Sequence, residues 1–166
     1  TVVETAIGFK YIAEEMLKCS LTLLGGEESG GIGYGNHIPE RDALLSALYV
    51  LEAVATREQD IPSLYRALQE KTNFHSAYDR IDITVKQPQT LIETLTNNCP
   101  ERIADRSVLS VQTIDGFKLR LEGDSWLLIR FSGTEPLLRL YSEAPTMTEV
   151  HTILHWIKEW VERVDH

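Results

Sequence analysis

The apolar residues of this chain change their spacing near residues 73–78, and a chain whose hydrophobic period switches from helical to alternating must build two different kinds of layer. Upstream, Phe9, Ile12, Ala13, Met16 and Leu17 fall on one helical face, as do Leu44, Leu45, Leu48, Leu51 and Ala55. Downstream, Ile81, Ile83 and Val85 alternate with Asp82, Thr84 and Lys86, the pattern of a strand with one buried face. The domain boundary is placed at the switch, giving residues 1–75 and residues 76–166.

The first segment reads as a partial α/β domain. A helix over Phe9–Leu17 should lie on a sheet, and Leu21-Thr22-Leu23-Leu24 reads as a buried strand closed by Gly25-Gly26. Glycines 25, 26, 30, 31, 33 and 35 then make a glycine-rich loop, six of the ten glycines in the chain. A helix from Asp42 to Ala55 is so apolar that burial on most sides is expected, and Pro62 opens another that runs to Glu70. One convincing strand is too few for a stable sheet, so this domain looks incomplete.

The second segment reads as a compact α+β domain, an antiparallel sheet packed by helices. A helix from Pro88 to Asn98 precedes strands over Ser107–Ile114, Phe117–Glu122, Trp126–Phe131 and Leu137–Ser142. Asp115-Gly116 between two alternating runs is a hairpin signal. The last helix opens on the capping box Thr146-x-x-Glu149.

Sixteen Lys and Arg against 25 Asp and Glu give a net charge of −9. That charge argues against a general nucleic-acid or anionic-membrane partner, so an anionic ligand must be held by a local cluster of donors. No run reaches the roughly 18 to 20 apolar residues of a membrane span. Cys19 and Cys99 have no CxxC neighbour, and the expected setting is the reducing cytoplasm. His151 and His155, four apart, sit beside Lys158 and Glu159 opposite the apolar stripe, and no metal site is expected from them. No Ser-His-Asp or Cys-His arrangement is present, and no catalytic residue is assigned. The chain begins at Thr1 in mid-pattern, and a piece of a longer protein is expected.

Two stretches can carry chemistry. In Arg130-Phe131-Ser132-Gly133-Thr134-Glu135-Pro136, Arg130 offers a planar two-bond fork, Ser132 and Thr134 offer hydroxyls, and Gly133 lets backbone N–H groups converge on an anion. Arg139 can add a second positive charge. Composition alone equally allows a plain hairpin turn with a structural arginine. In Gly25-Gly26-Glu27-Glu28-Ser29-Gly30-Gly31, a Glu27 carboxylate can accept two vicinal sugar hydroxyls with the Ser29 hydroxyl beside it, while a flexible acidic loop is the competing reading. Arg41, just before the Asp42 cap of the long apolar helix, can reach an anion near the glycine loop.

Taken together, Gly26-Glu27-Glu28-Ser29-Gly30-Gly31, His37-Ile38-Pro39-Glu40-Arg41-Asp42 and Arg130-Phe131-Ser132-Gly133-Thr134-Glu135-Pro136 resemble the phosphoglucomutase/phosphomannomutase family of α-D-phosphohexomutases, and Ile7-Gly8-Phe9-Lys10 extends the similarity across the chain. The resemblance implies the end of domain 3 followed by domain 4, the latter with a TATA-box-binding-protein-like α+β fold. It implies that Glu27, Ser29 and Arg41 bind the sugar, and that Arg130, Ser132, Gly133 and Thr134, with Arg139 nearby, bind its phosphate.

The implied activity is interconversion of hexose 1-phosphate and hexose 6-phosphate, glucose or mannose, through a hexose 1,6-bisphosphate intermediate with Mg2+. The family's phosphoserine loop, T-A-S-H-N-P, and Mg2+ loop, D-G-D-x-D-R, have no counterpart in this sequence. The resemblance therefore implies that phosphoryl donor and metal ligands lie in N-terminal domains of the same chain, and that the present stretch alone is inactive. The alternatives are a stand-alone phosphosugar-binding module and an interaction or oligomerisation unit. Gly30-Gly31 also departs from the Ser-Gly-His or Ser-Phe-Gly endings of several members, and Gly133 stands where some have asparagine.

Overall fold

A computed structural model describes residues 1–27, 29–132 and 136–165 and divides the chain into two units, Thr1–Phe74 and His75–His166. In the first unit the helix expected near the N-terminus, α1, spans Phe9–Lys18. The glycine-rich stretch is a hairpin rather than only a loop. Strand β1 (Leu24–Gly26) pairs antiparallel with β2 (Ile32–Tyr34), Gly25 opposite Gly33.

These glycines let helix and hairpin touch. A Cβ on Gly25 would stand 2.3 Å from Ile12 Cγ2, and one on Gly33 would stand 2.8 Å from Phe9 Cζ and 2.9 Å from the Glu40 carbonyl oxygen. Phe9 and Met16 are the buried residues of α1.

Two expectations for this unit are corrected. The strand begins at Leu24, and Leu21 and Leu23 are exposed, so the run Leu21–Leu24 is not a buried strand. The long apolar helix, α2 (Ala43–Arg57), has no buried residue, with Leu44, Leu48 and Leu51 all exposed. The physical reason is the same in both cases: a hairpin of two three-residue strands is too small to cover that much apolar surface. Local signals still fix the helix ends. Asp42 accepts the Leu45 N–H and caps α2, and Asp60 accepts the Ser63 N–H and caps α3 (Ile61–Thr72), which carries a proline in its first turn.

The second unit is an α+β domain. Its strands are β3 (Ala77–Thr84), β4 (Arg102–Ile103), β5 (Arg106–Gln112), β6 (Phe117–Leu121), β7 (Ser125–Phe131) and β8 (Leu137–Ala144). They form one antiparallel sheet in the order β3-β8-β7-β6-β5-β4. Helices α4 (Pro88–Asn97) and α5 (Met147–Val164) supply Leu91, Leu95, Val150, Ile153, Leu154, Ile157 and Val161 to a core completed by Leu119, Leu121, Leu127, Ile129, Leu138 and Leu140. Alternation puts these strand residues on the helix side of the sheet and their sequence neighbours on the other.

The capping box holds: Thr146 Oγ1 accepts the Glu149 N–H at 3.3 Å and donates to Glu149 Oε2 at 2.7 Å. Glu149 also pairs with Arg106.

Helix α4 lacks a side-chain cap of its own, and a long-range one serves instead. Asp165, 8% exposed at the end of α5, accepts the N–H of Lys86 at 2.8 Å and of Gln87 at 2.7 Å. Asp165→Ala should therefore cost about 1–2 kcal/mol, because it removes the acceptor of two part-buried N–H donors at the helix start. Thermal unfolding checks this, and an unshifted midpoint would show that the Asp165 cap carries no stability.

Candidate functional site

Each unit carries one of the two candidate loops. In the first, Glu27 directly follows β1. Its N–H donates to the Gly31 carbonyl and its own carbonyl accepts from the Gly30 N–H, both at 3.0 Å, so the loop closes on itself. Gly30 has φ +91, a conformation that favours glycine. The Glu27 side chain is only 13% exposed and meets Arg41, Nη1 to Oε2 at 3.4 Å. Ser29 is exposed.

Arg41 is positioned from several sides. Its Nε donates to Glu40 Oε1 at 3.3 Å, and its guanidinium lies 5.5 Å from the Phe9 ring centroid. The Asp42 N–H donates to the Ile32 carbonyl at 3.0 Å, which ties Arg41 to β2. On the next residue, Asp42 Oδ2 is 2.9 Å from His37 Nε2. The Asp42 carboxyl sits below its ordinary pKa, first because it accepts the Leu45 N–H and then because of His37.

In the second unit, Arg130 lies on β7 and Arg139 on β8, directly opposite one another. Ile129 and Leu140 pair beside them and are fully buried, so the two arginines project from the sheet face away from the helices. Facing guanidinium groups repel, and each has a carboxylate. Arg130 Nε donates to Asp115 Oδ1 at 3.2 Å. Arg139 is cross-strand from Asp82, with Nε to Oδ2 at 3.8 Å, beyond hydrogen-bond range. That Nε is buried and has no hydrogen-bond partner among the described residues.

Burial opposes the charge on Arg130, but Asp115 and Tyr141 outweigh it and hold its pKa above the ordinary value. Ser132 N–H donates to the Leu137 carbonyl at 2.9 Å, closing the strand pair at the loop. Gly133 and Thr134 lie outside the described residues.

Asp115 was legible in the sequence only as a turn residue, and what makes it a partner of Arg130 is the close approach of its neighbour. Continuing the β6–β7 register puts Gly116 opposite Arg130. Gly116 has φ +81, and a Cβ there would stand 2.4 Å from the Ile129 carbonyl oxygen and 3.2 Å from Arg130 Cα. Only a glycine lets the turn lie this close to β7.

The paired histidines go to different carboxylates, His151 to Asp79 at 3.1 Å and His155 to Glu159 at 3.4 Å. Among the described residues no three His, Cys, Asp or Glu side chains are grouped to hold a metal ion, so the described residues do not fit Mg2+, whose ligands the resemblance assigns to other domains. No described helix is long and apolar enough to cross a membrane.

The chain is similar to known proteins in both units. Residues 1–72 match the family model described as phosphoglucomutase/phosphomannomutase, alpha/beta/alpha domain III, and residues 85–159 match that of the phosphoglucomutase/phosphomannomutase C-terminal domain. A phosphoglucosamine mutase of Limosilactobacillus fermentum is 32% identical over 98% of the chain and 32% of its own length. One of an Exiguobacterium species is 34% identical over 90% of the chain and 29% of its own length. The chain thus spans about a third of the curated relatives it matches. A Thermus thermophilus structure described as a candidate phosphomannomutase has TM-score 0.72 and 35% identity, covering 94% of this chain and 30% of that one. A Burkholderia thailandensis structure at 19% identity and TM-score 0.70, covering 96% of this chain and 32% of that one, shares the fold.

Asp115→Ala should release Arg130 and lower stability by about 1–2 kcal/mol, since it leaves a half-buried guanidinium without its main carboxylate. Denaturant unfolding gives the stability and the Arg130 Nε–H resonance reports the tether. A variant with both unchanged would make Asp115 a bystander.

Proposed function

Because this chain belongs to the phosphoglucomutase/phosphomannomutase family, we propose that the protein it is part of interconverts hexose 1-phosphate and hexose 6-phosphate, the hexose being glucose, mannose or both, with this stretch supplying recognition of sugar and phosphate. The observation that carries the phosphate assignment is the pair Arg130 and Arg139, directly opposite on adjacent strands. Asp115 and Asp82 offset these two like charges only in part, Asp82 from 3.8 Å, and a phosphate offers enough oxygens to engage both forks. Ser132, with Gly133 and Thr134 after it, adds hydroxyl and backbone donors of the kind a phosphate needs.

The sugar assignment rests on Glu27. A carboxylate accepts only, so it suits hydroxyl donors, and Arg41 holds one of its oxygens in place. Ser29 and Arg41 complete this set, in a sugar-binding domain over residues 1–75 with a phosphate-binding domain over 76–166. A second reading, a phosphorylated amino sugar, is favoured by the names of the curated relatives, which are phosphoglucosamine mutases. Mg2+ and a bisphosphorylated intermediate belong to this proposal as properties of the family, with the metal ligands and the phosphoryl-donating serine outside the residues present. The chain by itself binds and does not turn over. Its setting is proposed to be cytoplasmic.

The test is an assay of the full-length protein with the 1-phosphates of glucose, mannose and glucosamine. Turnover of glucose or mannose 1-phosphate supports the reading, and turnover of glucosamine 1-phosphate alone replaces it with the second. Arg130→Ala in that protein should lose about 2–4 kcal/mol of transition-state stabilisation, from removal of a charge-assisted bidentate donor. A near-normal kcat/KM would reject the phosphate role of Arg130.

A further inference from the structure

One contact in the first unit is unexplained by the assignments above. The aliphatic stem of Arg41 lies across Gly31: a Cβ on that glycine would stand 2.5 Å from Arg41 Cδ, 3.1 Å from Arg41 Cγ and 3.3 Å from Glu27 Oε2. Gly31 is not among the residues with positive φ, so its backbone would accept alanine. The requirement for a missing side chain comes from Arg41 and not from the turn.

Beyond Gly31 the guanidinium reaches Glu27 and Glu40, with the ring of Phe9 at 5.5 Å. Phe9 is itself fixed, 4% exposed and seated against Gly33.

We propose that Gly31 and Phe9 are positioning residues for sugar binding. The empty volume at position 31 lets Arg41 cross the loop, and the Phe9 ring supports its guanidinium, so that Arg41 holds Glu27 in one rotamer with its second oxygen set for a hydroxyl. This rests on the reading of Glu27 as the hydroxyl acceptor. Its signature is a separation of stability from affinity. Arg41 is a flexible side chain, 55% exposed, so an alanine at 31 displaces it at little cost to the fold, whereas Glu27 loses its tether. Both substrate and transition state use that tether, so the loss falls on KM.

In the full-length protein assayed with glucose 1-phosphate, Gly31→Ala should raise KM about tenfold with kcat within about twofold, and move the thermal midpoint by no more than about 1 °C. Arg41→Ala should raise KM at least as far, since Arg41 also belongs to the sugar-binding set. The double variant should be no worse than Arg41→Ala alone, because one substitution acts through the other. Phe9→Leu keeps the core filled and should shift KM in the same direction by about threefold. Additive losses in the double variant, or an unchanged KM in Gly31→Ala, overturn the proposal.

The Arg41 guanidinium 15N resonances of the same proteins provide a readout that needs no turnover. Displacement in Gly31→Ala supports the positioning role, and unmoved signals overturn it. A parent protein inactive on every hexose phosphate would count against the preceding reading alone, leaving these signals to decide the role of Gly31.

Discussion

The pairing of β7 with β8 fixes the fold and the chemistry of the second unit in one register. Ile129 opposite Leu140 and Leu127 opposite Ser142 point to the helices, and Arg130 opposite Arg139 points away. A slip of one residue would exchange the two sets, placing guanidinium groups in the core and leucines in water. The cost of burying two unpaired charges far exceeds any gain from an alternative pairing. Packing of α4 and α5 on Ile129, Leu138 and Leu140 therefore does more than stabilise a sheet. It holds two cations at a fixed separation that an exposed loop could not maintain.

The first unit positions its arginine by a different device, which is absence of side chains. Gly25 and Gly33 admit α1 onto the hairpin, α1 brings Phe9, and Gly31 leaves room for Arg41 to pass. Each glycine raises the entropic cost of folding, and together they yield a contact that no bulkier residue allows. Gly116 uses the same logic in the second unit, where a turn pressed against β7 delivers Asp115 to Arg130. Register sets the coarse position of an arginine, and close backbone approach supplies the carboxylate that orients it.

Local signals were legible in the sequence, and contacts across long separations were not. The Thr146–Glu149 box, the Asp42 cap, Pro62 in the first turn of α3 and the alternation of β6 through β8 each depend on residues within a few positions of one another. The Leu21–Leu24 run misled because apolar composition reports what could be buried, while burial depends on what is available to cover it. The same reason left α2 exposed. Strand β2 was concealed by glycines, which carry no strand propensity although they pair freely through their backbone. Asp115 beside Arg130 and Asp165 beneath α4 are separated in sequence by 15 and by 78 or 79 positions, and no periodicity announces such partners. Glu27 and Arg41 stood out by residue type, but only coordinates show that they touch.

A chain of net charge −9 has a particular difficulty in holding an anion, and the arrangement of its arginines bears on it. Arg41 has Glu27 and Glu40, Arg130 has Asp115, and Arg139 has Asp82. The carboxylates reduce the net attraction for an anion, yet Glu27 and Asp115, which accept hydrogen bonds from Arg41 and Arg130, also spare those two arginines rotamer entropy that binding would otherwise cost. The trade suits a ligand that must be gripped in a defined orientation and then released. Within the second unit, a bare pair of arginines would bind phosphate more strongly, with less geometric definition. Pre-paired arginines give up part of that affinity for orientation, which on the proposed reading is what transfer of a phosphate between two positions of one sugar demands.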